Sequence, residues 1–375
     1  ARAERSMASL SLRNIKKVYD NKVTAVDDFN MEIKDKEFIV FVGPSGCGKS
    51  TLAKLLCMVL EADEGALYIG DEAFQYCSAL TSIEIPEGVL HIGKKVFCYC
   101  SALTEITLPS SVTHLGSQAF QACTGLTTAT LLCRVTELPH MIFEGCTSLR
   151  SVELPRGLTK LEESVFAGCT SLESVSLSDR MTHIEREAFL GCTSLAHIEL
   201  PASLQTLEAR AFNSCTSLTE ITLPASLQTL GGNAFTDCTA LEQVTILGSI
   251  SKDMGDSLFS ACPSLRTVSL SEGLTTVTSH MFDGCTSLSE ISLPEGLKYI
   301  GMYAFSGCSS LTELMMAERC GFSGSEIMFS ANAMPYHEFA IAREMDAFVN
   351  LDDITHIDVL EDNGGIPETI CCRYN

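Results

Sequence analysis

The sequence predicts a β-rich solenoid of about eleven coils with short helical turns, flanked by incomplete α/β segments. Three observations predict it. Phe recurs every 23 residues from Phe74 to Phe235, and again at Phe259, Phe282 and Phe305 after one inserted residue near Ser251–Gly255. Cys follows each Phe by three positions, and Leu follows each Cys by three. Between these markers, stretches such as Leu218-x-x-Ile221-x-Leu223 alternate apolar residues with Thr, Ser and Glu, the pattern of a short half-buried strand.

Charge divides the 375 residues unevenly. Residues 1–64 hold 10 basic and 10 acidic side chains, 65–312 hold 12 and 25, and 313–375 hold 3 and 12, which together give the net −22. A chain this acidic lacks the basic face that phosphate binding needs, so nucleic acid is not an expected partner. The apolar run Phe38–Val42 is too short to cross a bilayer. Ala1–Leu10 carries Arg and Glu without an apolar run, so no signal peptide is expected there.

The N-terminal segment opens with Gly43-Pro-Ser45-Gly46-Cys-Gly48-Lys49-Ser50-Thr51, which fits the phosphate-binding pattern G-x-x-x-x-G-K-[ST]. Phe38–Val42 reads as the strand before it and Thr51–Leu60 as the helix after it. Glycines let backbone N–H groups wrap the phosphates, while Lys49 would reach the terminal phosphates and Ser50 would hold Mg²⁺. From about Met7 to Asp71 the sequence resembles ABC transporter ATPases of the sugar-importer type, on Leu12–Tyr19, Ala25–Ile33 and Glu64–Asp71. The resemblance implies an adenine-stacking role for Tyr19. The Q-loop, signature sequence, Walker B carboxylates and switch His of that family have no counterparts here. Leu67–Glu72 mimics a Walker B run but fits the first repeat better, since Ile69-Gly-x-x-Ala73-Phe74 matches Ile300-Gly-x-x-Ala304-Phe305.

Within each repeat, Pro224 and its equivalents end the strand because proline cannot donate to a ladder. The Ala-Phe-x-x-Cys stretch reads as a tight turn or one helical turn. A single repeat cannot offset the entropy of ordering its own residues, so copies must stack around a shared core. Residues Leu67–Leu314 resemble the BspA-like class of leucine-rich repeats. That resemblance implies a right-handed leucine-rich repeat solenoid serving as a binding or adhesion scaffold, often at the cell surface or secreted. The eleven repeat cysteines read as a buried ladder of small, soft hydrophobes. Cys98-Tyr99-Cys100 and Cys371-Cys372 lack zinc-site spacing, and His91, His114 and His183 share one repeat position, so no metal site is expected.

Exposed strand positions are expected to line a concave face. One column is Glu84, Thr107, Thr130, Glu153, Ser176, Glu199, Thr222, Thr245, Ser269 and Ser292. Its neighbour is Ser82, Glu105, Thr128, Ser151, Ser174, His197, Glu220, Gln243, Thr267 and Glu290. Six carboxylates and no Lys, Arg or aromatic residue stand among them, which points to an acidic face for a protein ligand. Such strand formers also suit a plain solvated sheet.

From Leu314 the repeat stops. Ile327–Phe329 and Ala347–Leu351 read as strands, with helices at Tyr336–Met345 and Ile354–Leu360. Residues Ser309–Asn375 resemble diaminopimelate decarboxylase, a pyridoxal-phosphate enzyme, on Met328–Asn332, Asn350–His356 and Gly364–Asn375. In that family the cofactor Lys lies upstream of this stretch and the phosphate-binding residues downstream, so pyridoxal phosphate is not expected to bind. The sequence therefore divides into 1–66, a truncated P-loop fragment; 67–314, the solenoid; and 315–375, a truncated barrel fragment. It reads as a non-catalytic scaffold within a chimera joined at words common to both neighbours, Gly65–Phe74 and Cys308–Leu314. No working cofactor is expected, since ATP with Mg²⁺ would meet a P-loop without the remaining motifs of its site. The sequence leaves oligomeric state and compartment open.

Overall fold

A computed structural model describes residues 9–19, 23–34, 64–250, 253–311, 328–330 and 348–350. The chain divides into two compact units, Ala1–Met181 and Thr182–Asn375.

The first unit begins with strands β1 (Ser9–Val18), β2 (Thr24–Lys34) and β3 (Glu64–Ile69). It continues through β4 (Val89–Ile92), β5 (Glu105–Leu108), β6 (His114–Leu115), β7 (Thr128–Leu131), β8 (Glu137–Leu138), β9 (Ser151–Glu153), β10 (Lys160–Leu161) and β11 (Ser174–Val175). One sheet runs β2-β1-β3-β4-β6 and another β11-β9-β7-β5. Every pairing from β3 onward is parallel, and Glu105↔Thr128↔Ser151↔Ser174 shows the register advancing one coil at a time.

The second unit carries β12 (His183–Ile184), β13 (Thr206–Leu207), β14 (Glu220–Leu223), β15 (Thr229–Leu230), β16 (Gln243–Ile246), β17 (Asp253–Met254), β18 (Thr267–Ser269), β19 (Thr276–Val277), β20 (Glu290–Ser292) and β21 (Tyr299–Ile300). Parallel sheets run β14-β16-β18-β20 and β12-β13-β15-β17. The expected alternation is present: Glu220, Ile221, Thr222 and Leu223 run exposed, buried, exposed, buried, and the strand stops before Pro224. The strands β22 (Met328–Ser330) and β23 (Phe348–Asn350) pair in parallel, at the positions expected from the sequence. The strand Phe38–Val42, the helix Thr51–Leu60 and the helices Tyr336–Met345 and Ile354–Leu360 lie outside the described residues.

The core is a set of columns. Phe97, Phe120, Phe143 and Phe166 in the first unit, and Phe189, Phe212, Phe235, Phe259 and Phe282 in the second, are fully buried. Neighbouring rings stack almost parallel, 5.3–5.7 Å apart from Phe74 to Phe166 and 4.9–5.7 Å apart from Phe189 to Phe305. That spacing is the offset stack that aromatic quadrupoles favour.

The expected helical turn is not a helix. Two residues per coil, two before and two after each Phe, have positive φ: Lys95 (56°) and Tyr99 (63°) around Phe97, Arg210 (59°) and Ser214 (60°) around Phe212. A helix needs a run of negative φ, so these left-handed residues break it. They also turn successive peptide groups the same way. The N–H groups of Lys95, Phe97 and Tyr99 donate to the carbonyls of Ser117, Ala119 and Gln121 in the next coil at 3.0, 2.8 and 2.8 Å. The same triplet recurs in the second unit, for instance from Arg210, Phe212 and Ser214 to Gly232, Ala234 and Thr236. The turn side of each coil is thus a hydrogen-bonded ladder in its own right.

Candidate binding face

Where the longer strands form, the two predicted columns lie on their outward side, while Glu84 and Glu199 fall in coils with no strand assigned at those positions. Glu84, Glu105 and Glu153 in the first unit, and Glu199, Glu220 and Glu290 in the second, are all exposed. Within the second unit, Glu220↔Gln243↔Thr267↔Glu290 form one continuous row, and Thr222↔Thr245↔Ser269↔Ser292 the row beside it. In the first unit Thr107↔Thr130↔Glu153 form the equivalent row. Parallel pairing fixes neighbours about 4.8 Å apart, so each row is a ruler of polar side chains on a rigid backbone. The imidazole of His197 stands beside one of these carboxylates, its Nε2 3.6 Å from Glu220 Oε1, with both side chains well exposed.

The nucleotide-site residues fare differently. Gly43, Ser45, Gly46, Gly48, Lys49, Ser50 and Thr51 lie outside the described residues. Tyr19 follows the end of β1, is 40% exposed, and its N–H donates to the Val23 carbonyl at 3.0 Å. Among the described residues, no group of three His, Cys, Asp or Glu side chains converges as a metal site requires. No described helix is long and apolar enough to cross a membrane.

The cysteine column proves more than apolar filling. The thiols of Cys100, Cys123, Cys146 and Cys169 each donate to the Phe carbonyl of the preceding coil, as Cys123 Sγ does to Phe97 O at 3.0 Å and Cys146 Sγ to Phe120 O at 3.1 Å. In the second unit Cys215, Cys238, Cys262, Cys285 and Cys308 do the same at 3.2–3.3 Å. Most of those carbonyls also close their own turn, as Phe120 O does by accepting from Cys123 N at 3.2 Å. Burial pushes the thiol of Cys100 up to about 11 and those of Cys215 and Cys285 to about 12. Cys146, Cys238 and Cys262 lie well above the usual thiol range for the same reason. Held neutral, these thiols are neither nucleophiles nor ready metal ligands.

Sequence reasoning missed one exposed feature. Tyr76 and Tyr99, exposed by 65% and 45%, stack at 5.0 Å on the turn side, away from the strand columns. The 23-residue offset was the available signal, because equal repeat positions stack.

A parallel β-solenoid with a Phe–Cys–Leu turn and two strands per coil defines the class: a leucine-rich repeat protein. The chain belongs to the BspA type leucine rich repeat family, whose description matches residues 67–196, 159–268, 182–312 and 252–367. A second family, ABC transporter, matches residues 26–97 and so overlaps the first repeats. The chain is 60% identical over 63 residues to the putative ABC transporter ATP-binding protein YcjV of Escherichia coli, and 57% identical over 63 residues to the oligosaccharides import ATP-binding protein MsmX of Bacillus subtilis. These matches take in 17% of this chain and span only 18% and 17% of those relatives. Among solved structures, it is similar to a leucine-rich repeat protein from Bacteroides ovatus, with 23% identity, 84% of this chain and 87% of that one covered, and a TM-score of 0.45.

Proposed function

We propose that the chain is a non-catalytic scaffold whose exposed strand rows bind a basic protein ligand, in the manner of an adhesion module. One observation carries this reading: six exposed carboxylates and no Lys or Arg occupy the two repeat columns, three carboxylates in each unit. A rigid row of carboxylates gives a long-range field that steers a cationic partner and fixes its register more than it supplies affinity. The full chain is tested with polylysine as probe at low salt and at 0.5 M salt. Replacing all six Glu by Gln is expected to weaken binding at least tenfold at low salt. Equal binding by both proteins would remove the face from consideration.

The match over residues 26–97 favours a second reading, nucleotide binding by Gly43–Thr51 as in an ABC transporter ATP-binding subunit. Without the signature sequence and Walker B carboxylates, phosphoryl transfer lacks most of its electrostatic stabilisation, so any nucleotide bound there is not turned over. ATP hydrolysis above background that disappears in Lys49→Ala would reverse this judgement. The C-terminal fragment is read likewise as non-catalytic, because no Lys is present to form a Schiff base with pyridoxal phosphate. The division into 1–66, 67–314 and 315–375 is best accounted for by three joined coding segments. Both joins fall inside domains, whereas natural fusion cuts between complete ones. Single-molecule reads through Gly65–Phe74 and Cys308–Leu314 in source DNA, matched by a transcript, would refute the join.

A further inference from the structure

We propose that the hairpin Ser9–Lys34, drawn from the ATPase-like segment, serves as the N-terminal cap of the repeat sheet. The first parallel rung is β3, which pairs with β4 through Tyr68↔His91 and Ile69↔Ile92. Left alone, β3 would present a row of open N–H and C=O groups, a template for another chain. Instead β1 reverses direction and closes it, with Leu10↔Ile69, Leu12↔Leu67 and Lys16↔Glu64 in antiparallel register.

The docking extends the repeat core on one face and its ring column on the other. Leu12 (1% exposed) and Ile15 (0%) join Ile69 and Ile92 (both 0%) as buried residues. On the opposite face the rings of His91 and His114 stack at 4.2 Å, the Tyr68 ring lies tilted 5.9 Å from His91, and the Arg13 guanidinium lies 5.1 Å from the Tyr68 ring centre. A cation over the last ring ends the column with a group that favours both the aromatic face and water.

The outer side of the hairpin is shaped against further pairing. Its ladder is broken by register shifts between Leu12 and Ile15, Ile15 and Lys17, and Lys17 and Val18. Asn14 and Asp28 adopt positive φ (52° and 44°) and are tied together, with Asn14 Nδ2 donating to Asp28 Oδ1 at 2.8 Å and Asn14 N to Asn30 Oδ1 at 2.8 Å. Bulges and exposed Asp27, Asp28 and Glu32 along β2 are the devices by which edge strands resist association. The hairpin that carries the adenine-stacking Tyr19 in the ATPase-like resemblance here terminates a β-stack.

The test uses the full chain, comparing the native protein with Ile15→Asp by hydrogen exchange and sedimentation velocity. Expected are at least tenfold faster exchange over residues 9–34 and 89–94, self-association, and unchanged protection around Phe212, Phe235 and Phe259. Glu32→Gln, on the exposed side of β2, should leave every readout unchanged. A hairpin that exchanges freely while 89–94 stay protected and the chain stays monomeric would overturn the proposal. So would a hairpin that stays protected in Ile15→Asp, or a loss of protection in both units, which would make the hairpin part of the folding core rather than a cap.

Discussion

Replacing Phe212 by alanine removes a ring that is fully buried and stacked on both sides, 4.9 Å from Phe189 and 5.3 Å from Phe235. Three losses add. Returning a buried Phe side chain to water forfeits about 1.5–3 kcal/mol. Each lost stack forfeits about 0.5–1.5 kcal/mol beyond area. The hole cannot close, because the turn ladder holds the coil spacing through Phe212 N to Ala234 O at 2.8 Å and Phe189 N to Ala211 O at 2.8 Å. The sum matches the ~3–5 kcal/mol seen when large core aromatics are truncated. The same substitution at Phe305 removes a half-buried ring with one described ring neighbour, Phe282 at 5.5 Å, so less than half that cost is expected. Urea unfolding followed by far-ultraviolet circular dichroism gives both values from the midpoints and slopes. If Phe212→Ala and Phe305→Ala differ by less than ~0.5 kcal/mol, below the worth of a single aromatic stack, the column is not a nearest-neighbour stack and the reasoning fails.

Gly191 has φ of +68° and a Cβ placed there meets nothing within 4 Å, so Gly191→Ala should cost about 1 kcal/mol of pure backbone strain. Asp237 occupies the same turn position with φ of 61°, and Asp237→Gly should gain about 0.5 kcal/mol once unfolded-state entropy is subtracted; denaturation midpoints that move in the same direction for the two variants would refute backbone strain as their common cause. Brief alkylation of the native chain at pH 8 followed by peptide mapping should label exposed Cys77 and spare Cys123, Cys146 and Cys215 until denaturant is added. Because burial raises the folded thiols above their ordinary value of 9.0, stability should be intact below pH 9 and fall as pH rises toward about 12, by about 1.4 kcal/mol per pH unit for each thiol the unfolded chain ionises. Flat stability between pH 8 and 10.5 would show that the ladder thiols are not held neutral.

The sequence revealed what repeats in side-chain identity. Phe, Cys and Leu recur because their environments recur, so the period located the core columns and, by elimination, the exposed rows that carry Glu220 and Glu290. Backbone features stayed hidden, since they recur without a fixed residue type. The turn position before each repeat Cys has positive φ whether it is Tyr99, Ala122, Gly145, Ser214 or Asp237. No residue rule finds that column; glycine is only its commonest occupant, and the expected helical turn failed there. The thiol hydrogen bonds were hidden for another reason. Cys at a buried repeat position satisfies an apolar pattern, and only coordinates place Sγ 3.0 Å from Phe97 O. The pairing of β3 with β4 was illegible because it joins words from two unrelated families.

The hydrogen-bonding geometry explains how so small a unit can be held so rigidly. In the turn ladder, the carbonyl of Val96 accepts from Phe74 while the N–H of the same peptide, on Phe97, donates onward to Ala119. Both groups of one peptide thus point along the stacking direction, in opposite senses, and successive peptides line up head to tail as they do in a helix. Aligned amide chains polarise one another, so each added coil strengthens the bonds already made. The Phe carbonyls add a second link, since one lone pair closes the turn and the other takes the thiol of the next coil. A rung that slipped in register would break a chain of hydrogen bonds between peptide groups, a thiol contact and a ring stack together. Register on the turn side therefore dictates register on the strand side, where it sets the spacing of the carboxylate rows that any partner must match.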